Sequence, residues 1–272
     1  VTDGRQLLVF FGIAFAYTWA WAAFMIGWHI RIEYSIAASA GPLIAALVTN
    51  RLAANRDRAF RFTVDWRRTA VAAILGVTLV LASVVILPAV AVVDATRLGW
   101  LVFVSRASYN YSTLLGGPLF EEPGWRGFAL SRLESRYGPL PGTLILGLAW
   151  SAWHGPFFWY PGWSSIPIWN YFLIVTALAV MLSWATNLAR FGVIPAILMH
   201  AAHNTSGRYF VGLFAHADPG SGGILNVLAR AGNLNLTMSF GMLVALGAWT
   251  GAILVIVATR GRLAYDRRAS TA

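Results

Sequence analysis

Runs of apolar residues close to 20 long recur along almost the whole chain, and they leave few ways to fold. In lipid every backbone N–H and C=O must be satisfied within the protein, so such runs cross as helices. Of the 272 residues, 58% are hydrophobic and only 11% are charged. A soluble domain carries about 25% charged residues, and no soluble unit of useful size remains once the runs are set aside. The expectation is an all-α polytopic membrane protein of about eight crossings, folded as one domain over residues 1–272.

The expected helices span about Leu7–Trp28, Ile36–Leu52, Ala70–Val93, Leu98 to the acidic stretch below, Thr143–Tyr160, Trp169–Ala189, Val193–Leu213 and Leu236–Thr259. The first is longer and more aromatic than a signal-peptide core and lacks a small-residue cleavage site, so it reads as a retained helix. Trp19, Trp21 and Trp28 suit interfacial anchoring. All the basic residues are arginines, gathered in short loops and at the C-terminus: Arg51, Arg56, Arg58, Arg61, Arg67 and Arg68 in one loop, Arg260, Arg262, Arg267 and Arg268 in the tail. The +10 net charge so placed fits the positive-inside rule and anionic lipid, not nucleic acid. Both termini are expected on the cytoplasmic side of a bacterial plasma membrane. Ser131–Pro141, with Arg132, Glu134 and Arg136, reads as a second cytoplasmic loop. Gly247 and Gly251 form a weak helix-packing motif. With no cysteine, disulfide and thiolate chemistry are excluded.

Phe120-Glu121-Glu122-Pro123-Gly124-Trp125-Arg126-Gly127 interrupts this pattern. Each charge at membrane depth costs at least about 2.5–3.5 kcal/mol on insertion scales, so three in one short stretch need a reason. Gly116-Gly117-Pro118 and Pro123 predict a broken helix, with Phe120–Arg132 as its second piece. Broken helices are tolerated where they line a protein cavity. Two histidines join the acids: His154 in the outer half of the fifth run, and His200 in the seventh, four residues from Asn204 and so on its face. At 1.5 Å per residue, Glu121, His200 and His154 lie roughly 15, 12 and 18 Å from the inner ends of their helices. That is one level of a core about 30 Å thick.

Such a set supports hydrolysis. A carboxyl in an apolar cavity suits general acid–base work near neutrality. His154 can co-activate a water with Glu121, and His200 and Asn204 can donate to an oxyanion. Arg126, one turn from Glu122, can neutralise it and leave Glu121 free. Glu121, His154 and His200 also make a plausible zinc set with an open position for water. No HExxH-type pair is present, which tilts the choice towards direct activation of water without separating the two routes. Two other readings use the same residues: a buried polar knot that joins helices, and a proton or ion pathway. No inverted repeat supports the pathway.

Glu121-Glu122-x-x-x-Arg126, Trp150-x-x-x-His154 and His200-x-x-x-Asn204 resemble, in order, the EExxxR, FxxxH and HxxxN/D motifs of the CPBP (CAAX protease and bacteriocin-processing, or Abi) intramembrane protease family. That family includes the type II CAAX prenyl endopeptidases. The resemblance covers about residues 114–204, the expected catalytic core. It implies an eight-helix fold and cleavage of peptides or membrane proteins. Glu121 and His154 would activate water, and His200 and Asn204 would stabilise the oxyanion, with Glu122 and Arg126 in support. The family has been described both as metalloproteases and as glutamate proteases, so zinc stays open. Some members are linked to immunity or regulation without cleavage, so a non-catalytic partner-binding protein is the alternative. Trp150 in place of Phe and Pro123 directly after the glutamates depart from the pattern without removing a chemical group.

Overall fold

The computed structural model describes residues 3–53, 65–83, 117–161, 163–164, 166–215 and 236–266. Among them the elements are helical, with no strand. Helix α1 (Asp3–Gly27) is followed by a 3₁₀ turn (Ile32–Ser35), α2 (Ile36–Ser39), α3 (Gly41–Leu52) and α4 (Trp66–Leu81). After the undescribed segment come α5 (Pro118–Gly124), a π-helical turn (Trp125–Leu130), α6 (Ser131–Tyr137) and α7 (Pro139–Trp153). A 3₁₀ turn (Gly155–Trp159), α8 (Ile168–Leu188), α9 (Ile194–Ala215) and α10 (Leu236–Thr259) complete the chain. Among the described residues three helices are long and apolar enough to cross a membrane: Gly4–Gly27, Ile168–Leu188 and Gly241–Thr259. The described residues are all-helical, with the apolar spans of an integral membrane protein. The expected fourth run before residue 117, the end of the third run beyond residue 83, Gly116, the loop arginines 56, 58 and 61, and Arg267 and Arg268 lie outside the described residues.

Several boundaries follow from sequence chemistry. Pro42, Pro118 and Pro139 stand in the first turns of α3, α5 and α7, where the missing N–H costs nothing. Asp65 caps α4, its Oδ1 accepting from the Arg68 N–H at 3.1 Å. Helix α8 lies at the centre, packed against α4, α7, α9 and α10. Outward faces stay apolar: Leu8, Ile74 and Val257 are each more than 60% exposed, as suits a lipid solvent. Glycine permits close approach between α6 and α7 and between α8 and α10. A Cβ on Gly142 would come 2.7 Å from the Leu133 carbonyl carbon, and one on Gly251 would come 2.8 Å from Met181 Sδ. The second contact joins α10 to α8.

Ser131–Pro141 is not the expected loop. Helix α6 runs to Tyr137, and Gly138 (φ 88°) reverses the chain alone before α7, a conformation that glycine adopts without penalty. The reversal presses α6 against α7, so Arg132 and Glu134 are buried instead of solvated. Arg132 Nε donates to Gln6 Oε1 at 2.8 Å, and its guanidinium lies 3.7 Å from the centre of the Phe128 ring. Glu134 Oε1 accepts from Asn187 Nδ2 at 2.8 Å and from Thr143 Oγ1 at 3.4 Å. Asn187 Nδ2 also donates to the Leu263 carbonyl at 3.1 Å. One carboxyl therefore ties α6, α7, α8 and the segment after α10. Helix α7 also stops at Trp153, short of the expected Tyr160, because Gly155-Pro156 cannot continue an α-helix.

Burial pushes the Glu134 carboxyl, which lies outside the membrane-crossing helices, up from 4.5 to about 8, against the lowering effect of its Asn187 and Thr143 hydrogen bonds. Between those values the folded state holds a proton that the unfolded state has released. Stability is therefore full below pH 4.5 and is lost as pH rises through about 8, at up to about 1.4 kcal/mol per pH unit. Thermal unfolding in detergent from pH 5 to 9 should show Tm falling with pH, and Glu134→Gln should flatten the slope. Equal slopes in the two proteins would contradict this.

Candidate active site

Glu121 and Glu122 lie on α5, whose register shifts just beyond them. Pro123 stands inside the helix without an N–H, and the following residues widen into the π turn. Such turns recur at functional sites. Both glutamates are buried, with Glu122 fully so. Their surroundings differ, as expected of neighbours about 100° apart on a helix. Gly124, the next small residue, faces the Pro42 backbone of α3 so closely that a Cβ there would overlap the Pro42 carbonyl group.

Glu122 is held by two donors. Arg126 Nη1 lies 3.1 Å from its Oε1 and 3.0 Å from its Oε2. His200 Nδ1 donates to Oε1 at 2.8 Å. A carboxylate only accepts, so that imidazole carries its proton on Nδ1 and turns Nε2 away. Arg126 is itself fully buried, its guanidinium carbon 4.2 Å from the centre of the Trp150 ring. Glu121 joins neither contact. Its Oε2 accepts from the Trp150 indole Nε1 at 2.8 Å. It lies within electrostatic range of His200, Glu122, Arg126 and Tyr171.

His154 owes its setting to the end of α7. The backbone N–H of His154 turns to Ser151, at 3.2 Å, and the Trp150 carbonyl loses the donor a continuing helix would supply. The His154 ring takes that place, with Nδ1 2.8 Å from the Trp150 oxygen. A carbonyl only accepts, so the proton sits on Nδ1 and the Nε2 lone pair is free. Trp153 closes one side of the imidazole edge-on at 4.6 Å, Tyr171 stands at 5.1 Å and Trp163 at 5.9 Å. Trp19 Nε1 donates to the Trp153 carbonyl at 3.1 Å and Trp153 Nε1 to the Ala14 carbonyl at 3.3 Å, which locks α7 to α1.

The structure thus brings together Glu121, Glu122, Arg126, His154 and His200 from α5, the π turn, the end of α7 and α9. Asn204 lies one turn beyond His200 on α9 and is partly exposed; no hydrogen bond joins it to the other five among the described residues. Two contributions escape a reading of the sequence. Trp150 is more than an aromatic wall, because it bonds Glu121 through its side chain and His154 through its backbone. Tyr171 packs its ring against His154 from α8; a phenol within an apolar run was the available signal. Among the described residues no group of three or more His, Asp or Glu side chains is arranged to hold a metal ion. The candidate zinc set Glu121, His154 and His200 has one ring nitrogen, His200 Nδ1, already committed to Glu122.

The buried ion pair makes a stability prediction. Arg126→Ala leaves Glu122 without its cation and should cost about 3–5 kcal/mol, read as a large fall in Tm. Arg126→Lys should recover part of that loss, since it restores the charge but not the planar stack on Trp150. An unchanged Tm in Arg126→Ala would contradict the pairing.

Comparison with known proteins converges on the same region. Residues 103–206 match the family model of Rce1-like, type II CAAX prenyl endopeptidases. CAAX prenyl protease 2 of Methanococcus maripaludis is 32% identical over 95 residues, which cover 32% of this chain and 35% of the relative. The chain thus spans about a third of the length of the curated relative it matches. The matched stretch contains every site residue described above.

Proposed function

We propose that the protein is an intramembrane endopeptidase that hydrolyses peptide bonds of membrane-associated peptides or proteins. The observation that carries this reading is the division of labour between adjacent acids. Glu122 is spent on Arg126 and His200, while Glu121 makes no ion pair among the described residues and keeps a single indole donor. A carboxylate so placed can take a proton from water as the water oxygen adds to the scissile carbonyl carbon. His154, with its Nε2 lone pair free, holds or co-activates that water. Asn204 donates to the oxygen that gains negative charge, as does His200 Nε2 when that ring, held at Nδ1 by Glu122, carries a second proton. Glu121 then returns its proton to the leaving nitrogen as the C–N bond breaks, leaving a carboxylic acid and an amine. No step is routed through a metal.

The same reading includes a single membrane domain of eight crossings, surrounded by lipid, with both termini on the cytoplasmic face of a bacterial plasma membrane. Apolar outward faces and the placement of the arginines support it. The name of the archaeal relative points to a prenylated CAAX peptide as one substrate to try.

The test is cleavage of a peptide panel by protein in proteoliposomes, with prenylated CAAX peptides and unprenylated membrane-anchored peptides side by side. Glu121→Ala should lower kcat at least about 100-fold without lowering Tm. Full activity in Glu121→Ala would end the mechanism. Elemental analysis of the active protein should find no stoichiometric zinc; one bound zinc per chain would move the chemistry to a metal route.

A further inference from the structure

We propose that Trp150 is a positioning residue for the reaction, its indole N–H fixing which oxygen of Glu121 faces the water. The inference rests on the proposed role of Glu121 and adds a part that no motif assigns.

The geometry comes first. A carboxylate at the end of a glutamate side chain can rotate about its last bond, and each orientation presents a different lone pair. Trp150 Nε1 takes Oε2 at 2.8 Å, and among the described residues no hydrogen bond reaches Oε1. One oxygen is thereby pinned and the other left for a substrate or water. The donor is itself immobile. Trp150 is 1% exposed, its ring lies under the Arg126 guanidinium at 4.2 Å, and the ring meets His200 edge-on at 5.0 Å. Its backbone oxygen meanwhile sets the tautomer of His154. One residue thus touches the acid, both imidazoles and the arginine. A donor held this firmly need not reorganise during the reaction, the condition under which a hydrogen bond contributes most to rate.

The second observation is the departure from the family pattern. The related motif has Phe at this position. A Phe ring retains the stack under Arg126 and the edge contact to His200, but it has no N–H. The indole therefore adds to the pattern a hydrogen bond that the other motif residues do not supply. A purely structural tryptophan would need only a buried acceptor, and any carbonyl would serve. Here the acceptor is the one acid that Arg126 does not neutralise.

Trp150→Phe separates the two roles. In the variant cleaving the best peptide of the panel, kcat should fall about 10-fold or more. KM should stay within about twofold, and Tm should barely change, because the ring contacts persist. The indole N–H resonance of Trp150, assigned by its loss in Trp150→Phe, should shift in ¹⁵N-tryptophan-labelled Glu121→Ala. Unchanged kcat in Trp150→Phe, or a change confined to KM, overturns the proposal. If Trp150→Phe does not fold, Trp150 is assigned instead by selective labelling, and a resonance indifferent to Glu121→Ala overturns the proposal. Activity surviving in Glu121→Ala would instead sink the hydrolase reading itself. An inactive Glu121→Ala beside a fully active Trp150→Phe would remove only the positioning role.

Discussion

A charge cannot rest inside lipid without a partner, and the Glu122–Arg126 pair is where this chain meets that demand. Both side chains are fully buried. Their desolvation costs several kcal/mol per ion even after relaxation, and the mutual attraction returns part of it. The rest comes from neighbours: His200 adds a second donor to Glu122, and the face of Trp150 receives the guanidinium. The pair therefore does more than cancel charge. It fixes the relative positions of the π turn, α7 and α9, since each supplies one member of the cluster. Trp150, against Arg126, and the edge-to-face pair of Trp125 and Trp153 are all at most 1% exposed.

That arrangement lets two chemically identical neighbours behave differently. Glu122 sits between the Arg126 guanidinium and the His200 Nδ1–H, whereas Glu121 is left with the indole N–H of Trp150. The end of α7 contributes in the same way. A helix that stops at Trp153 frees the Trp150 carbonyl, and His154 uses it to choose a tautomer. Backbone events caused by Pro123 and Pro156 thus determine what the side chains can do, although neither proline offers a catalytic group.

Much of this was legible before any coordinates. The apolar runs located α1, α8, α9 and α10 to within a few residues, because a helix that must cross lipid has little freedom in length. The EExxxR motif and the histidines of the other two motifs drew attention to Glu121, Glu122, Arg126, His154 and His200, because i, i+4 pairs on a helix share a face. Trp150 was harder. A tryptophan in an apolar run reads as wall or anchor, and only tertiary packing decides whether its N–H meets an acid. The burial of Arg132 and Glu134 was also hidden. Their short polar segment has the composition of a loop, and only the single-residue reversal at Gly138 turns those charges inward. The partner of His200 belongs to the same class: spacing put the imidazole on the face of Asn204, but its contact is with a glutamate 78 residues earlier.

The central claim is that two imidazoles, each held at Nδ1 by an acceptor supplied from the fold, both leave Nε2 without a hydrogen bond among the described residues. Histidine tautomers are read directly from ring ¹⁵N shifts in labelled protein, with His154 and His200 assigned by single substitution. The structure predicts a proton on Nδ1 of both rings near neutral pH, whether or not His200 also carries a second. A neutral ring at either position with its proton on Nε2 alone would contradict the account.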